Sequence, residues 1–230
     1  MNTIKVDKLE ISNDKPFVLM AGLNVLEDEK TIESVITKCI ESTSKHNIPF
    51  IFKASYDKAN RSSIDSYRGP GAKQGLEILR ELKQDFAVPV ISDIHTPLEA
   101  ELASDVLDII QIPAFLSRQT DLIEAACKTS LPLNIKKGQF LAPSDMLNIL
   151  KKCSYFNNDK VMICERGTSF GYNNLVVDML GVNELKKTLQ PIIFDVTHSL
   201  QRPGGLGDKA DGRGSNVLEL ARSGMSLGLA

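Results

Sequence analysis

A chain of 230 residues, 42% of them hydrophobic, is long enough to bury one substantial core. Its 27 basic and 29 acidic residues leave a formal charge of -2, so nothing suggests the basic surplus that binding a nucleic-acid backbone usually needs. MNTIKVDKLE lacks the apolar centre of a secretory leader, no apolar run is long enough to span a membrane, and four scattered cysteines form no CxxC pair, so a soluble cytoplasmic protein with reduced thiols is expected.

In chain order, TIKVDKLEIS alternates apolar and polar residues around Asp7-Lys8 and predicts a small β-hairpin, suited to plugging one mouth of the fold that follows. Seven short apolar, β-branched runs come next: FVLMAG from Phe17, FIFKAS from Phe50, VPVISDI from Val88, IIQIPAF from Ile109, LNIKKG from Leu133, VMICERG from Val161 and PIIFDVT from Pro191. Their starts lie 33, 38, 21, 24, 28 and 30 residues apart, close to the roughly 30 residues of a βα unit. Periodic apolar patterns over residues 31–46, 72–86, 121–128, 144–153 and 175–185 predict helices between them. No linker or low-complexity segment interrupts the series, so residues 1–230 are expected to form a single domain.

Runs so continuously apolar suit strands buried on both faces. Seven βα repeats fit either a doubly wound sheet or a barrel, and no GxGxxG follows the first run. The polar residues decide between them, because nearly every run ends in one: Asn24, then Lys53 and Ser55, Asp93 and His95, Gln111, Lys136, Arg166, and Asp195 with His198. Polar groups at the C-terminal end of every strand mark a barrel active site, whereas a doubly wound sheet gathers them at one switch point. A (β/α)8 TIM barrel with an N-terminal β-hairpin is expected.

The stretch Lys53-Ala-Ser-Tyr-Asp-Lys-Ala-Asn-Arg-Ser-Ser63, continuing to Arg68, concentrates Lys53, Lys58, Arg61 and Arg68 with Ser55, Asn60 and Ser62 at one strand exit. It reads as a phosphate or carboxylate site, or as an ordinary polar loop. Lys136 and Arg166 lie in or just after apolar strands, where an unpaired cation is costly. They are either structural partners of Glu165 or Asp93, or ligands for an anionic substrate. Adjacent Lys136 and Lys137 must face opposite ways, so only one enters the barrel. His95 and His198 stand at strand ends, as satisfied core histidines or as catalytic groups. His46 closes a helix and reads as solvated. Arg202-Pro-Gly-Gly-Leu-Gly reads as a mobile loop beside the mouth.

Together KASYDKANRSS, SYRGPG, QIPAFLSRQTDL, NIKKGQF, CERGTSFGYNNLVVDM and FDVTHS resemble, in order and spacing, the motifs of 3-deoxy-D-manno-octulosonate 8-phosphate synthases, from residue 16 onward. The resemblance implies a barrel enzyme, usually a homotetramer, that joins phosphoenolpyruvate to arabinose 5-phosphate in making the eight-carbon sugar acid of lipopolysaccharide. It implies that Lys53, Lys58, Lys136 and Arg166 hold phosphoenolpyruvate, with Ser55, Gln111, Ala114 and Phe115 completing that pocket. Asn60, Arg61 and Ser62 would bind the aldose phosphate, and Arg118 would reach a neighbouring subunit's sugar-phosphate site. Asn24 and His198 would lie near the reacting carbons, with Asp93 and His95 close by. Asn24 stands where the metal-dependent branch of the family has cysteine, so neither metal nor other cofactor is expected. Gly138 replaces a frequent proline, and Glu165 a shorter acid.

The resemblance further implies an eighth strand, bearing a glutamate and an aspartate on and after it, beyond Ala230; the 230 residues are expected to lack the last strand–helix unit. Two other readings stand beside the first. One is a 3-deoxy-D-arabino-heptulosonate 7-phosphate synthase, which takes erythrose 4-phosphate and typically has KPRTS where this chain has Lys58-Ala-Asn-Arg-Ser-Ser. The other is an inactive binding or assembly subunit. No nucleic-acid or membrane partner is expected.

Overall fold

The computed structural model describes residues 1–204 and 211–230. In chain order β1 (Ile4–Val6) and β2 (Leu9–Ile11) precede β3 (Leu19–Leu23), α1 (Glu29–Lys45), β4 (Phe50–Ala54), α2 (Ala72–Phe86), β5 (Val90–Asp93), α3 (Pro97–Ser104), β6 (Ile109–Ile112) and α4 (Thr120–Lys128). Next come β7 (Leu133–Lys136), α5 (Met146–Tyr155), β8 (Val161–Glu165), the two-residue strands β9 (Thr168–Ser169) and β10 (Leu175–Val176), α6 (Met179–Lys186) and β11 (Ile192–Phe194). The remaining elements are α7 (Val196–Ser199), β12 (Gln201–Arg202), β13 (Asp211–Gly212) and α8 (Val217–Met225).

Strands β3, β4, β5, β6, β7, β8 and β11 pair in that order, all parallel. Spatial order follows chain order with no reversal, as in a TIM-type barrel and unlike a doubly wound sheet. Among the described residues β3 and β11 are not paired with each other. The Ala230 N–H donates to the Ile192 carbonyl at 3.1 Å, so residues 229–230 run beside β11.

The period of two along each strand sorts the side chains into layers. Phe50, Phe52 and Ala54 of β4, Ile110 and Ile112 of β6 and Val161 and Ile163 of β8 join the apolar layer shared with the helices. The alternate residues Ile51, Ile91, Ile109, Met162, Cys164 and Ile193 cluster inside the barrel. One pleat further on, the same inward rows carry Lys53, Asp93, Gln111, Arg166 and Asp195. The barrel is therefore apolar below and charged above. The hairpin β1–β2 closes the apolar end, with Ile4, Val6 and Ile11 packed into the interior cluster.

Local chemistry sets several boundaries. Asp28 caps α1 by accepting from the Thr31 N–H at 3.0 Å, and Asn47 beyond its end takes a left-handed φ of 53°. The pattern over residues 175–185 reads as a continuous helix, but the structure splits it. Leu175–Val176 pairs with Thr168–Ser169 as a hairpin, and Asp178 then caps α6 by accepting from the Leu180 N–H at 3.0 Å. Helices α3, α7 and α8 are additions to the sequence-based set. α8 docks closely on the sheet: a Cβ at Gly224 would lie 2.3 Å from the Phe194 ring. Gly205, Leu206 and Gly207 of the expected RPGGLG loop lie outside the described residues.

Candidate active site

At the charged end of the barrel the strand exits surround a cavity of about 380 Å³, a size suited to small phosphorylated metabolites. Asn24, Lys53, Lys58, Asn60, Arg61, Ser62, Asp93, Gln111, Ala114, Phe115, Lys136, Arg166 and His198 all line it. Three of the expected site residues do not. The Ser55 hydroxyl, fully buried, donates to the Asp57 carbonyl at 3.0 Å. His95 stands behind Asp93, and Arg118 lies beside Lys152, whose ammonium donates to the Arg118 carbonyl at 2.8 Å. Gln139, Gln201 and Tyr67 also line the cavity and were not singled out from sequence.

Five cations, Lys53, Lys58, Arg61, Lys136 and Arg166, border this space with Asp93 as the one carboxylate among the described lining residues. Asp195 lies just beneath, in a salt bridge with Lys136, and 2.9 Å from His198 Nδ1. The partner of Lys136 is therefore Asp195, not Glu165 or Asp93. Burial would neutralise Lys136, but Asp195 holds its pKa above the ordinary lysine value. Burial would likewise raise Asp195, yet Lys136 and the His198 hydrogen bond keep it well below the carboxylate range. His198 is pushed down by burial and by Lys136, so it is a neutral ring whose Nδ1–H donates to Asp195, leaving Nε2 as an acceptor.

Several of these groups are short of partners. Lys53 is lowered by burial and by neighbouring Lys136, and burial brings Lys58 down to about 8. Arg166 donates to Gln201 Oε1 at 3.2 Å, but among the described residues its buried Nη1 has no acceptor, and neither has the buried Nε of Arg61. Buried guanidinium N–H groups without acceptors are costly unless something anionic fills the space. The arrangement is that of a site built for a multiply charged anion.

Lys137, next to Lys136, occupies the opposite face of β7. It is 1% exposed, lies 3.5 Å from Glu165 Oε2 and donates to the Thr168 hydroxyl at 3.0 Å. Glu165 Oε1 in turn accepts from the Gly167 N–H at 2.6 Å. The pair ties down the turn that presents Arg166.

The DAHP synthetase I family model matches residues 2–230. A 2-dehydro-3-deoxyphosphooctonate aldolase of Hahella chejuensis is 58% identical over 228 residues, covering 99% of this chain and 81% of that relative. The 2-dehydro-3-deoxyphosphooctonate aldolase 1 of Pseudomonas putida is 57% identical over 227 residues, covering 99% and 81%. The enzyme of that name in Shewanella amazonensis is 55% identical over 230 residues, covering 100% and 82%.

Proposed function

Because this chain belongs to the DAHP synthetase I family, we propose that it is a 3-deoxy-D-manno-octulosonate 8-phosphate synthase, the activity that the name 2-dehydro-3-deoxyphosphooctonate aldolase denotes in its relatives. It joins phosphoenolpyruvate, D-arabinose 5-phosphate and water to give the eight-carbon sugar acid phosphate and inorganic phosphate, a group transfer. The observation that carries this reading is the ring of cations at the barrel mouth. Two anionic substrates must approach each other there, and fixed positive charge removes their repulsion while positioning supplies much of the rate.

Lys53, Lys136 and Arg166, with Lys58, Gln111, Ala114 and Phe115, hold phosphoenolpyruvate. Asn60, Arg61 and Ser62 clamp the phosphate of the sugar. C3 of the enol phosphate then attacks the sugar aldehyde, and the new alkoxide takes a proton. Lys58, with its pKa of about 8, is suited to giving that proton. Water adds to the cationic C2, oriented by neutral His198 and by Asn24. One of its protons restores Lys58, and the other leaves with the phosphate as the C–O bond to phosphate breaks and the C2 ketone forms. Asp93 accepts a hydrogen bond from a sugar hydroxyl or from the water. Ser55 shapes the loop from behind.

A homotetramer in the cytoplasm is part of the same proposal. Its support is a set of exposed apolar side chains, Phe140, Phe170 and Leu180 around one surface hollow and Phe115 at the cavity, which a neighbouring copy would cover. Arg118 would then enter that neighbour's sugar-phosphate site. No described helix is long and apolar enough to cross a membrane. Steady-state assays with arabinose 5-phosphate and erythrose 4-phosphate, beside calorimetric titration with phosphoenolpyruvate, test the reading. Turnover with arabinose 5-phosphate is expected. Preference for erythrose 4-phosphate, or binding without turnover, would overturn it.

A further inference from the structure

Glu99 stands on the first turn of α3, outside the cavity lining, yet its carboxylate is bound from several directions. Oε2 accepts from the Tyr56 hydroxyl at 2.7 Å and from the His95 backbone N–H at 3.0 Å, and lies 3.3 Å from His95 Nδ1. Oε1 accepts from the Thr96 hydroxyl at 3.1 Å. Tyr56 is fully buried and packs edge-on against the His95 ring, with centroids 6.0 Å apart at 89°. Glycine at 75 makes that possible, since a Cβ there would lie 2.2 Å from Tyr56 Cβ. On its other side, His95 Nε2 lies 3.1 Å from Asp93 Oδ2, while buried Asp93 Oδ1 has no hydrogen-bond partner among the described residues.

An imidazole between two carboxylates keeps both its protons. Burial opposes the charge on His95, but Asp93 and Glu99 together raise its pKa to about 9. The groups that face it are Asp93 from β5, Glu99 from α3 and the Tyr56 ring after β4; Lys58 and Lys53 act on Asp93 from the cavity side. A carboxylate that only capped α3 would stay with the Thr96 and His95 backbone region. Glu99 also faces the His95 ring, with buried Nδ1 opposite Oε2 as an ion-pair contact rather than an aligned hydrogen bond, and so connects Tyr56 through His95 to Asp93 at the cavity.

We propose that Glu99, braced by Tyr56, is a positioning residue: it holds His95 so that Nε2–H stays on Asp93 Oδ2 and Oδ1 is left as a fixed acceptor for the hydroxyl or water that the reaction must orient. This rests on the condensation proposed above, and the test separates the two. Glu99→Gln keeps an acceptor for Tyr56 and the backbone but removes the charge. In the full chain with 15N-labelled histidine, His95 should titrate about one pH unit or more lower in Glu99→Gln than in the unmodified protein. With phosphoenolpyruvate and arabinose 5-phosphate, kcat should fall roughly tenfold while calorimetric affinity for phosphoenolpyruvate stays within about twofold. The alkaline limb of kcat/KM should move to lower pH. Tyr56→Phe should act in the same direction more weakly, and carries the test if Glu99→Gln does not fold. An unchanged His95 titration, or an unchanged kcat with an unmoved alkaline limb, overturns the proposal. If the unmodified protein turns over neither sugar, the condensation reading fails, and the histidine titration still decides whether Glu99 holds His95.

Discussion

The ammonium groups of Lys136 and Lys137, borne by adjacent residues, serve opposite faces of β7: one joins Asp195 at the cavity, the other joins Glu165 beneath the turn that carries Arg166. Lys136→Met should therefore remove function and spare the fold. Asp195 keeps His198 beside it, and that ring can take up a proton to balance the carboxylate. Phosphoenolpyruvate affinity should drop more than about tenfold, the loss of one charge-assisted bond. Lys137→Met should do the converse, because it strands the Glu165 carboxylate, 3% exposed, at a cost of about 3–5 kcal/mol. Denaturant titration and calorimetry on both variants check the pair. Adding Glu165→Gln to Lys137→Met should restore part of the stability. Equal losses of affinity in the two variants would contradict the assignment.

Arg61 should distinguish the two substrates. Among the described residues its Nε is buried without an acceptor, and the guanidinium donates only to the Ile64 carbonyl, at 3.3 Å. Arg61→Ala should weaken the aldose phosphate by roughly 1.5–3 kcal/mol and leave phosphoenolpyruvate nearly unaffected. KM values for each substrate, with the other saturating, measure this. Equal weakening of both would place Arg61 elsewhere in the reaction.

Phosphoenolpyruvate binding should depend on pH through Lys58. Burial lowers its pKa to about 8, and an anionic ligand favours the charged form. Below that value the ammonium is already present, so affinity is flat in this respect. Above it, binding must take up a proton, and affinity falls by up to about tenfold per pH unit. Calorimetry from about pH 7 to about pH 9.5, in buffers of different ionisation enthalpy, should show the decline and the uptake. Lys58→Arg, which stays protonated, should flatten the curve. A decline that persists in Lys58→Arg would assign it to another group.

Strands β5 through β8 were legible because they are buried on both faces and so read as largely apolar runs. The inward residue at the end of each run followed from the period of two, which is why Lys53, Asp93, Gln111 and Lys136 could be named together. Helix α3 left no such trace: its eight residues bury Ala100 and Ala103, too small to stand out from the Leu and Glu around them. The run over 175–185 misled because the Asp178 cap sits inside an apolar stretch. Pairings were harder still. Lys136 and Asp195 are 59 residues apart, and Glu99 reads in the sequence as an ordinary polar residue between two strands. Nothing local reveals that Tyr56, 43 residues earlier, reaches it.

Asn24 and His198 both border the cavity, and Asn24 holds the position at which the metal-dependent branch of the resembling family has a thiolate. A neutral amide is a poor ligand for zinc or iron, whereas thiolate is a strong one. Cys164 cannot take over that role. It belongs to the apolar layer of the barrel, and burial pushes its thiol up to about 12, so it stays protonated. His198 has one nitrogen on Asp195, which fixes the ring with Nε2 as a lone acceptor, a geometry that also serves to orient a water. In the proposed condensation the charge to be balanced lies on two phosphates and a carboxylate, and Lys53, Lys58, Arg61, Lys136 and Arg166 already supply it. Activity should therefore survive exhaustive dialysis against a chelator and gain nothing from added manganese or zinc. His198→Gln should lose turnover in the same way with or without added metal, since the ring works through its hydrogen bond. Loss of activity on chelation, recovered with a divalent ion, would show instead that the site recruits a cation through groups other than Asn24.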